Sequence, residues 1–122
     1  KRYWLQSTRV CNQSRFAGNY LVDFTGQVRK FNQWRPYASI GKFRIDGLHL
    51  TGTLISSLNG QISDSKVDGD LDLESNCFGL LRWKDPQGHE QIYRVVAEAT
   101  GNRILAVSQG SDLVSVGVLE RQ

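Results

Sequence analysis

Residues 67–79 read VDGDLDLESNCFG. Leu71 and Leu73 alternate with Asp70, Asp72 and Glu74, the two-residue period of a strand with one apolar face and one solvated face. A calcium loop would instead turn its acids around the ion and close with a bidentate acid at its twelfth position. Here Gly69 directly follows the first aspartate and the acids run along one face of an expected strand. No metal ligand is assigned to them.

The same period extends outward. In LHLTGTLIS, residues 48–56, Leu48, Leu50 and Leu54 face one way and His49, Thr51 and Thr53 the other. Glycine punctuates the chain, mostly every eight to thirteen residues, between short β-branched and aromatic segments. The expected strands are 18–28, 37–46, 48–57, 61–68, 69–75, 78–84, 89–98, 103–109 and 113–121. Asp46-Gly47, Asn59-Gly60 and Asp68-Gly69 supply hairpin chemistry, because these residues accept positive φ at low cost. Asp85-Pro86-Gln87-Gly88 and Thr100-Gly101-Asn102 are further turns. Short connections favour antiparallel neighbours over crossovers. The expected fold is all-β: a single antiparallel up-and-down β-barrel of about eight to nine short strands. Residues 1–17 form an N-terminal arm or short helix, and 18–122 the barrel domain.

Toward the C-terminus the alternation fades. CFGLL, IYRVVAEA, RILAV and LVSVGVL are apolar on both faces, so their outer side needs cover. The arm, through Trp4, Leu5 and Phe16, is one candidate; another subunit is the other.

These 122 residues are enough for one domain with its own core. No apolar run approaches the about 18 residues of a membrane helix. Residues 1–44 carry nine basic side chains and one acid, whereas 45–122 carry six basic and eleven acidic ones, so charges of +8 and −5 make up the net +3. Such asymmetry suits an anionic partner or head-to-tail self-association. The two cysteines, Cys11 and Cys77, are too far apart for a CxxC motif. An even count in a methionine-free, Gly/Ser/Thr-rich chain favours a disulfide fastening the arm to the barrel in an oxidising compartment, secreted or periplasmic. Two unrelated buried thiols are the alternative.

The blocks GNYLVDFTGQV, ASIGKFRIDGLHLTGTL, SLNGQI, VDGDLDLESNCFGLLRW and IYRVVAEATGNRILAVSQGSDLVSVGVLERQ resemble a group of small exported bacterial proteins of unknown function. Their architecture is similar to calycin or allene-oxide-cyclase barrels. The resemblance spans about residues 18–122 and rests on structural glycines and strand patterns. Cys77 falls on the matching cysteine of that layout. Asp70 stands where an uncharged residue is usual, and Leu71 where an aromatic is. The resemblance implies a barrel and transfers no catalytic residue.

No cofactor is expected, and no enzyme chemistry is assigned. His49 and His89 have no partner at ligand spacing, and Ser, His and Asp sit in no nucleophile elbow. Glu98 and Glu120 lie in apolar segments, where an outward salt bridge competes with projection into the barrel. The strongest binding candidate is RKFNQWRPYASIGKFR, residues 29–44. There Arg29, Lys30, Arg35, Lys42 and Arg44 interleave with Trp34, Tyr37 and two phenylalanines, cations beside flat rings that suit an anionic group on an apolar body. The competing reading is a loop of core anchors and solvated cations. Nucleic acid is disfavoured as partner, since an exported disulfide protein seldom meets it. The expected function is a non-catalytic exported binding module that self-associates or docks on a larger assembly. The runner-up is a carrier of a small apolar or anionic ligand inside the barrel, and an enzyme using that pocket ranks below both.

Overall fold

The computed structural model describes residues 10–85 and 88–122. Eight strands form one closed sheet in which each pairs with its sequence neighbours and β8 returns to β1, every pair antiparallel. They are β1 (Gly18–Lys30), β2 (Gln33–Asp46), β3 (His49–Leu58), β4 (Gln61–Leu73), β5 (Phe78–Lys84), β6 (Glu90–Ala97), β7 (Arg103–Ser108) and β8 (Leu113–Arg121). This is the up-and-down barrel that the alternation and short turns predict.

Two boundaries differ from the sequence reading. The expected strands 61–68 and 69–75 are one strand, β4, and Asp68-Gly69 is no hairpin. Asp68 pairs with Thr51 and Asp70 with His49 in unbroken register. Gly69 lies opposite Trp83, where a Cβ would stand 1.8 Å from the Arg82 carbonyl oxygen. The glycine serves close strand approach, not a turn. The expected loop at 29–36 is instead a tight hairpin. β1 and β2 pair as far as Lys30 with Gln33, and Phe31 and Asn32 turn the chain at φ 53° and 63°. Positive φ at both central residues matches the right-handed twist of the flanking strands. Phe31 is 93% exposed at this tip. Pro86 and Gln87 of the expected Asp85–Gly88 turn lie outside the described residues.

Closure sets a stagger. From Ile62 on β4, the register runs through Ser57, Ala38, Thr25, Val116, Val107, Arg94 and Leu80 and regains β4 at Asp72, ten residues away. With eight strands this implies a strand tilt of about 40° to the barrel axis. The interior centre is packed with aromatics: Phe24 lies 4.9 Å from Tyr93 and 5.7 Å from Trp83 between ring centroids, and Phe43 lies 5.6 Å from Trp83. The Trp83 and Tyr93 rings stack, with planes 11° apart. Offset and tilted ring pairs of this kind add to the area they bury.

One end of the barrel is stoppered. Asn12 caps a 3-10 turn (Gln13–Phe16) by accepting a bond from Ser14 N–H, and Phe16 is fully buried. The expectation that Phe16 helps the arm cover the outer sheet therefore fails: its ring belongs to the core at the barrel end. Trp4 and Leu5 of the expected arm lie outside the described residues. A disulfide joins Cys11 to Cys77, 5.1 Å apart at Cα. Gln13 Nε2 donates to the Gly47 and Leu71 carbonyls at 3.0 and 2.8 Å, while its Oε1 accepts from Leu73 N–H. Arg121 donates to the Ala17 and Arg15 carbonyls and lies over the Tyr20 ring, whose hydroxyl donates to Gly101 O.

Candidate functional site at the open end

The opposite end stays open because of the stagger. β3 pairs with β4 from Gln61 to Asp70, but β4 meets β5 only from Gly69 to Leu73. Residues 61–68 of β4 therefore rise beyond the β5 ladder, and the β1–β4 side stands as a tall wall over a lower β5–β8 rim. Gln61 and Ser63 occupy inward positions yet are exposed, and Ser56, Leu58 and Tyr37 are half-buried. Below this wall the Trp83–Tyr93–Phe24 cluster forms a floor.

Hydroxyl groups gather above that floor. Tyr37 shares a hydrogen bond with Ser39, and Ser39 Oγ lies 2.8 Å from Ser56 Oγ. The opposite wall brings Ser115, whose N–H donates to Ser108 Oγ. The Ser115 hydroxyl is itself 1% exposed and is the buried side-chain polar atom left without a partner among the described residues. Burial pushes the Tyr93 phenol well above the usual tyrosine range; nearby Ser115 opposes that rise and Tyr37 adds to it. Ser115 thus stands beside the Tyr93 phenol as its polar neighbour. Burying an unpaired hydroxyl costs on the order of 1–3 kcal/mol.

Pleating divides the basic and aromatic residues of 29–44 between two surfaces. Arg29, Trp34, Lys42 and Arg44 project outward; Arg29 lies 5.8 Å over the Trp34 ring and bonds Asp112 at 2.7 Å. Both ends of that pair are well exposed, so it contributes little stability. Lys30, Arg35 and Tyr37 have inward parity and stand at the open mouth, where Arg35 donates to Gln33 at 2.7 Å. Sequence reasoning did not single out Ser39, Ser56, Tyr93 or Ser115. The available signal was a polar residue at an inward position of an apolar strand, as in Val114-Ser115-Val116.

The aspartates of β4 face outward as the alternation predicts. Asp70 pairs with Arg82 at 3.1 Å and Asp68 faces His49 Nε2 at 3.4 Å. Glu98 and Glu120 are both exposed, not projected into the barrel. No described helix is long and apolar enough to cross a membrane.

On the outer side of β5–β8, apolar residues form two adjoining rows. Phe78, Val96, Leu105 and Val118 are successive register partners, as are Leu80, Arg94, Val107 and Val116. Leu105 is 47% and Val116 58% exposed. Arg94 flanks this surface on β6 and Asp23 flanks it on β1, and neither makes an ion pair among the described residues.

The chain is thus an eight-stranded up-and-down antiparallel barrel, stoppered at one end. A redesigned β-barrel shares this fold with a TM-score of 0.63 at 16% identity, over 92% of this chain and 96% of that one. A de novo designed fluorescence-activating β-barrel matches with a TM-score of 0.57 at 12% identity, over 88% and 94%. At such identities the likeness concerns the fold alone. No protein-family model and no curated protein matches the chain.

Proposed function

We propose that this protein is a non-catalytic, extracytoplasmic binding module that pairs with a second copy of itself through the outer face of β6, β7, β8 and β1. The observation that carries this reading is the double apolar row centred on Leu105, Val107, Val116 and Val118. Contiguous exposed apolar surface of this kind marks interfaces. A two-fold axis along the strands between β7 and β8 exchanges β6 with β1, which brings Arg94 of each copy opposite Thr25 of the other and two strand residues from its Asp23, within reach of the long arginine side chain. This charge complementarity favours a second copy as the occupant. A larger assembly of other proteins is the outcome to expect if the pairing fails.

The disulfide supports an oxidising compartment. The eight-stranded barrel is in keeping with the exported calycin-like or allene-oxide-cyclase-like group that the sequence resembles, with 1–17 as an arm and 18–122 as the barrel domain. A barrel inside a bilayer has an apolar exterior and a polar lumen. Here the interior is aromatic and aliphatic, and four aspartates of β4 face outward.

Sedimentation equilibrium tests the pairing. The wild type is expected to be a dimer, and Val116→Lys a folded monomer. Arg94→Asp should weaken the dimer, and adding Asp23→Arg should restore it. A wild type that remains monomeric at high concentration overturns the proposal.

A further inference from the structure

We propose that the tip of the β1–β2 hairpin docks the protein on an anionic lipid surface, with Phe31 entering the bilayer interface and Lys30 and Arg35 meeting headgroup phosphates. The site belongs to a single copy and stands apart from the outer pairing face.

Three observations converge on it. Phe31 holds a turn position at φ 53° that favours asparagine or glycine, and for a bulky side chain this conformation is costly. Its ring is 93% exposed, so packing within the barrel does not offset the cost. Strain that the fold leaves uncompensated marks a functional position. The hairpin also rises above its neighbours. β8 pairs with β1 only as far as Val28, and β3 with β2 only as far as Tyr37. Phe31 lies three residues past Val28, about 10 Å at 3.3 Å per residue. The β3–β4 turn stays below it, with Asn59 N–H on the Pro36 carbonyl. A flat surface approaching this end therefore meets the Phe31 tip first. Charge then selects the surface. Residues 29–44 carry five cations and no carboxylate. Asp112 offsets Arg29 at 2.7 Å, and Asp85 begins a turn on the lower β5 rim. Lys30 and Arg35 are left beside Phe31 and the half-exposed Trp34. An apolar apex, an interfacial tryptophan and flanking cations match an apolar phase under a layer of negative charge. A dissolved polyanion would engage the cations and leave Phe31 in water. One ring is a weak anchor by itself, so the cations supply the second signal that stable docking needs.

Co-sedimentation of the intact, disulfide-bonded protein with vesicles tests this. Vesicles of equal parts phosphatidylglycerol and phosphatidylcholine are compared with phosphatidylcholine alone, at millimolar lipid and about 0.1 M salt. Binding to the anionic vesicles is expected, falling as salt rises, with little binding to the neutral ones. Phe31→Asn should lower it about tenfold through the burial lost with the ring. Because asparagine suits the turn, this variant should melt no lower than wild type, which separates lost anchoring from lost fold. Lys30→Gln and Arg35→Gln should each lower binding about fivefold. Lys42→Gln should change it by no more than about twofold, since Lys42 lies seven residues from Arg35, about 23 Å along β2 and beyond the screening length of about 10 Å. The outer-face variant Val116→Lys should keep the dependence on Phe31 whether or not two copies pair, so the two proposals fail separately. Absence of binding to the anionic vesicles overturns the proposal. So does unchanged binding by Phe31→Asn. Tighter binding of soluble polyphosphate than of vesicles, unaffected by Phe31→Asn, also overturns it and assigns the cations to a dissolved polyanion.

Discussion

Replacing Gly117 by alanine should destabilise the barrel far more than one methyl group suggests. Gly117 lies opposite Phe24 across the β1–β8 ladder, and a Cβ there would stand 2.0 Å from Phe24 Cδ1 and 2.4 Å from Cε1. Carbon atoms settle at about 3.5–4.0 Å, so the ring would have to move by roughly 1.5 Å. It has little room, being fully buried and 4.9 Å from Tyr93, 5.7 Å from Trp83 and 6.4 Å from Phe43. Overpacking of such a core costs about 1–3 kcal/mol, and the crowded ring cluster places this site near the upper end. For a domain of this size that corresponds to a fall in Tm of roughly 10 °C. Backbone entropy acts in the opposite direction, since glycine to alanine in a compatible conformation stabilises by about 0.4–1 kcal/mol. The sign of the change therefore reports the packing. Urea unfolding followed by near-ultraviolet circular dichroism measures it. Shortening the ring with Phe24→Leu should make the double variant less destabilised than the sum of the two singles, by about 1 kcal/mol or more. A Gly117→Ala protein as stable as wild type would refute this account of the core.

Other expectations follow from the stopper, the acidic strand and the buried phenols. Reducing the Cys11–Cys77 bond, which spans 66 residues of sequence, should lower stability by up to about 4 kcal/mol through the entropy of the unfolded chain. Denatured, unreduced protein should yield no free thiol, and two thiols would contradict the pairing. Millimolar calcium or chelator should leave Tm unchanged, because a site present only in the folded state raises it by mass action; a rise with calcium but not magnesium would show that the β4 aspartates bind the ion. Alkali should destabilise the barrel. Burial raises the Tyr93 pKa, and also that of Tyr20 despite the opposing charge of Arg121. Above about pH 10 the unfolded tyrosines lose protons that the folded ones keep, so stability falls as pH rises. Tyr93→Phe should flatten that fall in urea titrations between pH 10 and 12, and an unchanged slope would count against a perturbed Tyr93.

Alternation and turn chemistry carry the barrel in the sequence itself. Leu71 and Leu73 against Asp70 and Asp72, repeated in Leu50 and Leu54 against His49, Thr51 and Thr53, assign each side chain to a face without reference to any partner strand. The short turns leave no room for crossovers, and the outward valines of β8 show their excess apolarity in the primary structure. What depends on a neighbouring strand is not legible in this way. Asp68-Gly69 has the composition of a hairpin turn, and only Trp83 standing opposite makes Gly69 a point of close approach. The cations and rings of residues 29–44 read as one cluster along the chain, and the β1–β2 hairpin sends Arg29, Trp34, Lys42 and Arg44 out while turning Arg35 and Tyr37 toward the mouth. The open end itself follows from the ten-residue stagger, a property of the closed sheet as a whole. Ser39, Ser56 and Ser115 come from three different strands, and nothing local brings them together. Side-chain direction is set by near neighbours in the chain, whereas convergence, closure and the height of each wall are set by register between strands distant in sequence.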